Sequence, residues 1–106
     1  MAADVTTGIK VYRADLGSHI EKNSPGPFKE IIVEVPDTAD DGDTFTITLA
    51  EYGITSFRTI RGYAHTTKGS VMVEEAPTTA VAAGVLTVTI GGATDNLTRF
   101  YWIGGI

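Results

Sequence analysis

The chain has 106 residues, 42% of them hydrophobic, with no cysteine and a formal net charge of −5 at pH 7. That length suits one domain rather than two; the missing cysteines exclude disulfides and thiolate metal sites and fit assembly in a reducing cytoplasm. The acidic balance lacks the basic footprint that nucleic-acid binding needs, and no apolar run approaches the ~20 residues that cross a bilayer as a helix.

No basic-then-apolar leader opens the sequence, so neither export nor a membrane partner is expected. Residues 1–8 are small, polar and threonine-rich, which predicts a flexible arm ahead of a single domain over 9–106. In residues 9–13, Ile9 and Val11 share one face while Lys10 and Tyr12 share the other, as in a strand. Residues 15–27 read as an irregular connection, closed by Ser24-Pro25-Gly26-Pro27, whose prolines forbid regular pairing. Residues 28–35 form a second strand, with Ile31, Val33 and Val35 on one face and Phe28, Glu30, Ile32 and Glu34 on the other. Pro36 stops it, and an acidic turn spans 37–43.

The clearest strand follows. Thr44-Phe45-Thr46-Ile47-Thr48-Leu49 alternates threonine with apolar residues, and Leu86-Thr87-Val88-Thr89-Ile90 repeats the pattern, so each buries one face and wets the other. Gly53 supplies a turn, residues 57–66 a strand, Lys68-Gly69 a hairpin-type turn and residues 70–74 its partner. Residues 76–83 are ambiguous: the alanines suit one helical turn, whereas Pro77, the threonines and Gly84 favour a loop. Strands at 85–90 and 98–103 flank a turn at Gly91-Gly92 and Asp95-Asn96. About seven short strands at this spacing predict an all-β fold, a compact antiparallel sandwich or barrel.

Few residues suggest chemistry. Asp37, Asp40, Asp41 and Asp43 surround a glycine in the oxygen-rich manner calcium favours, but their spacing departs from the twelve-residue calcium loop. A solvated turn in which aspartates accept from backbone amides is the simpler reading. His19 and His65 fall on different elements and have no ligand set around them. Ser18 beside His19 is no catalytic pair, and Gly91-Gly92 lacks the lysine and helix start of a phosphate loop. Arg58 and Arg61, at odd spacing, fall on opposite faces of a strand and make no basic patch. Asn96-Leu97-Thr98 matches a glycosylation sequon, which carries no weight without export. Neither an enzyme nor a cofactor is expected.

The run Phe100-Tyr101-Trp102-Ile103 is apolar on both faces: Phe100 and Trp102 on one, Tyr101 and Ile103 on the other. Such a strand is either covered on both sides by its own domain or packs its second face on a neighbouring subunit, where Tyr and Trp are enriched. Tyr101 and Trp102, with Tyr63, also suit a sugar-stacking platform.

Residues 35–54, VPDTADDGDTFTITLAEYGI, resemble a type of small tailed-bacteriophage protein in which a strand, a Pro-containing acidic turn and a threonine-alternating strand follow one another. The Gly-rich aromatic strand over 98–106 is similar as well. The resemblance is to virion structural proteins of the capsid decoration, or cement, type. It implies a non-enzymatic protein on the capsid exterior, assembled in the host cytoplasm and often trimeric. It also implies that the major capsid protein and further copies of the chain are its partners. On that reading Ala2, Ala3, Asp4, Val5, Thr6 and Thr7 form a capsid-contact arm that adds to a neighbour's sheet edge. Phe100, Tyr101, Trp102 and Ile103 then supply a subunit interface. Rival readings are a head-tail joining or tail protein, a carbohydrate- or host-surface-binding sandwich, and a calcium-stabilised domain.

Overall fold

A computed structural model describes residues 3–13, 29–67, 69–92 and 97–106. The alternating segments become strands β1 (Lys10–Arg13), β2 (Lys29–Val35), β3 (Thr44–Thr48), β4 (Phe57–Thr67), β5 (Val71–Glu74), β6 (Thr78–Ala82), β7 (Val85–Thr89) and β8 (Thr98–Gly105). They form a five-stranded sheet ordered β1-β2-β8-β4-β5 and a three-stranded sheet ordered β3-β7-β6. Every strand pair is antiparallel. The sheets stack as a sandwich and do not close into a barrel.

Period-two patterning explains the stacking. Ile31, Val33, Tyr101 and Ile103 from the larger sheet meet Phe45, Ile47, Leu86 and Val88 from the smaller one, and all are buried. Each such side chain contributes roughly 1.5–3 kcal/mol of burial. The rings of Phe45 and Tyr101 join the layers with centroids 5.5 Å apart. Gly62 on β4 makes room for this: a Cβ there would run into the Tyr101 ring and the Glu75 carbonyl.

Two features depart from the sequence expectation. Within the ambiguous stretch 76–83 lies an eighth strand, β6, paired with β7 from Thr78↔Thr89 to Ala82↔Val85. Ala83 and Gly84, at φ 53° and 77°, make the two-residue turn whose twist matches a hairpin. Small, mostly exposed side chains on this edge strand erase the polarity alternation that marks its neighbours.

The second departure is the N-terminal segment. The expected free arm is instead docked along β3 over its described residues. Val5 N–H donates to the Thr44 carbonyl at 2.8 Å and Thr44 N–H to the Ala3 carbonyl at 2.8 Å, a short parallel bridge. Thr46 N–H donates to Thr6 Oγ1 at 3.0 Å, and a 3-10 turn over Thr6–Gly8 leads into β1. The segment thereby satisfies an edge that would otherwise show unpaired amides and carbonyls. The expected connection over 15–27 with Ser18 and His19, and also Ala2, Phe28, Lys68, Asp95 and Asn96, lie outside the described residues.

Candidate interaction surfaces

The outer face of the five-stranded sheet is where the unusual residues gather. Pairing registers set two rows across it. One runs Tyr12, Ile32, Trp102, Arg61, and the other Lys10, Glu34, Phe100, Tyr63, Glu74. The aromatics interlock diagonally: Tyr63 meets Trp102 edge-on at 5.3 Å, and His65 lies 5.4 Å from Phe100. Phe100, Trp102 and His65, with Tyr12, Ile32, Glu34 and Met72, line a shallow concavity of ≈ 450 Å³. Tyr12 Oη donates to Glu34 Oε1 at 3.3 Å, and His65 Nδ1 accepts from Gly69 N–H at 3.1 Å.

The four residues assigned to a subunit interface therefore divide. Tyr101 and Ile103 are core side chains, 1% and 0% exposed, and cannot reach another subunit without unfolding the sandwich. Phe100 and Trp102 point outward and are only half-buried. The same division removes the sugar platform built on Tyr101 with Trp102, because adjacent strand residues occupy opposite faces. Burial also pushes the Tyr101 phenol well above its ordinary pKa, and its hydroxyl has no hydrogen-bond partner among the described residues.

The acidic turn is organised around Asp43 rather than around a shared ion site. Asp43 is buried, accepting from Asp40 N–H and Ala3 N–H at 2.9 Å each. These two bonds, with Arg99 close by, hold its carboxyl below the ordinary range. Asp37 and Asp41 are exposed and Asp40 half-buried. No grouping of three or more His, Asp or Glu side chains able to share a metal ion occurs among the described residues. Asp4, at the surface, accepts from the hydroxyl and amide of Thr6, which lowers its pKa as well.

Arg99 was not singled out from the sequence. It alternates with Tyr101 and Ile103 on β8, and that parity alone places it inside, where it is fully buried. Its Nε donates to Glu75 Oε1 at 2.5 Å and its Nη1 to the Ala39 carbonyl at 3.3 Å. The pair tethers the β5–β6 connection and the acidic turn to β8.

The sandwich has two unlike flanks. On one, the N-terminal segment covers β3, while Arg13 Nη1 donates across to the Tyr52 carbonyl at 2.7 Å. The opposite flank is lined by β5 and β6, edge strands of opposite sheets joined by only Glu75, Ala76 and Pro77. Val73 and Val81 share faces with buried Ala64 and Leu86, yet they are 43% and 49% exposed, and Val71 is 48% exposed. Five strands oppose three, and among the described residues this flank is left open.

Comparison with protein-family models, with curated proteins and with solved structures finds no match to this chain.

Proposed function

We propose that this chain is a non-enzymatic structural protein of a tailed-phage virion. It binds the capsid exterior as a decoration, or cement, protein and stabilises the shell, with the major capsid protein and further copies of itself as partners. Assembly takes place in the host cytoplasm and needs no cofactor.

The observation supporting this most directly is the open β5–β6 flank. The two-residue turn makes Ala82↔Val85 a hydrogen-bonded pair, so Thr79 and Val81 aim their amides and carbonyls away from β7. No charged residue occurs from 76 to 94, so β6 lacks the lysines and inward charges that protect open edges. An extended capsid segment added to β6 gains main-chain hydrogen bonds and covers Val71, Val73 and Val81. In this reading the chain offers a sheet edge to the capsid, and Ala3 to Thr6, held on β3, are not free to serve as a donor arm. Many such weak contacts on a lattice hold firmly together.

The test mixes purified protein with undecorated phage heads and follows co-sedimentation. Saturable binding that Val81→Lys abolishes, with unchanged circular dichroism, supports the reading. A wild-type chain that stays in the supernatant at every concentration refutes it.

A further inference from the structure

We infer that the outer face of the five-stranded sheet is a self-complementary interface that packs on the same face of a second copy about a two-fold axis parallel to β8. The inference deepens the copy-to-copy contact of the proposed function and replaces a three-fold arrangement with a two-fold one.

The order of charges across the strands points to this pairing. At the outward positions of the paired rows, β1 carries Lys10, β2 carries Glu30 and Glu34, β8 carries only Phe100, Trp102 and other uncharged residues, β4 carries Arg61, and β5 carries Glu74. The sequence of signs is plus, minus, none, plus, minus. It is antisymmetric about the central strand. A two-fold axis along β8 exchanges β1 with β5 and β2 with β4 between facing copies. Lys10 then meets the second copy's Glu74 in the same row, and Arg61 lies between the levels of its Glu30 and Glu34, one two-residue step of about 7 Å from each along the strand and within reach of a long side chain. Each charged strand faces one of opposite sign, and the uncharged aromatic centre faces itself.

An isologous interface requires this self-complementarity. A two-fold axis across the strands keeps each strand over its own equivalent, setting the β2 glutamates against each other; that register is disfavoured by like charge. Within one copy Lys10 and Glu74 sit four strand spacings apart, about 19 Å, too far to pair with each other. Their arrangement gains meaning only between copies. The centre has the aromatic composition of an interface core, and the charges form its rim.

Five strands and the length of β8 give a face on the order of 500 Å² per copy, toward the small end of specific interfaces. The pair therefore dissociates on dilution, in the micromolar range or above. Rim charges of this kind select register and partner more than they add affinity.

Sedimentation equilibrium of the full chain over a wide concentration range tests this, with Lys10→Glu and Glu74→Lys as exposed edge-strand variants. The wild type is expected to reach twice its 11.2 kDa mass, each variant alone to dimerise at least tenfold more weakly, and an equimolar mixture of the two to recover wild-type dimerisation, because both rim pairs are then restored between unlike copies. A monomer at millimolar concentration, a trimer, or a dimer indifferent to both variants overturns the inference. A dimer that obeys the exchange yet ignores phage heads refutes the virion role alone, and head binding by a strict monomer refutes the pair alone.

Discussion

Arg99 Nε lies 2.5 Å from Glu75 Oε1, and the guanidinium is wholly shielded from solvent. This carboxylate, the Ala39 carbonyl and nearby Asp43 help to balance the buried cation. Glu75→Gln removes the direct counter-charge and is expected to destabilise the fold by about 3 kcal/mol in urea unfolding. Replacing both partners with leucine costs less than Glu75→Leu alone, because no charge is stranded. A Glu75→Gln protein as stable as wild type would contradict this account.

The two faces of β8 predict opposite outcomes for neighbouring residues. Ile103→Ala opens a cavity between the sheets and is expected to cost about 2–5 kcal/mol. Trp102→Ala removes a partly covered ring that touches Tyr63, with an expected cost of about 1 kcal/mol. Equal losses in thermal unfolding would mean that the outer face is part of the fold's own support.

Asp43 predicts an acid limb. Its folded-state pKa is depressed, chiefly by the amides of Asp40 and Ala3, so its stabilisation is full above the unfolded value of about 3.9 and disappears as pH falls through the lower folded value. Melting temperature is therefore expected to drop below about pH 4. Asp43→Asn lowers stability at neutral pH by about 1–2 kcal/mol, and its difference from wild type shrinks in acid. A constant difference from pH 6 to pH 2 would rule the carboxylate out.

Deleting residues 1–8 tests the docked segment. A free arm contributes nothing to folding. The observed one fills the β3 edge through Ala3, Val5 and Thr6, so its removal is expected to cost about 2 kcal/mol. The amides of Thr44 and Thr46 should then exchange faster with solvent, which hydrogen exchange reads residue by residue.

The legible parts of the fold were those where chemistry changes at every residue. Threonine against Phe45 and Ile47, or against Leu86 and Val88, marks which side is wet, and β3 and β7 follow. In β6 the residues on both sides are alanine, threonine or valine, so only hydrogen bonding to β7 reveals the strand. Docking of Ala3 and Val5 uses main-chain groups and partners some forty positions away, beyond any local pattern. Arg99 was masked by its charge, although its parity with Tyr101 and Ile103 placed it inside. The antisymmetric charges needed something periodicity does not hold: the spatial order of the strands.

That order has a kinetic consequence. β8 follows every other strand in sequence, yet it lies in the middle of the larger sheet and joins β2 to β4. Neither β2 nor β4 finds its main partner until β8 has been synthesised, so co-translational folding of that sheet cannot proceed strand by strand. With pairings this non-local, the domain belongs among slow β-folders, on the millisecond-to-second scale. Until β8 arrives, nascent chains on neighbouring ribosomes expose the aligned edges of β2 and β4, which makes aggregation during synthesis the vulnerable stage of its life.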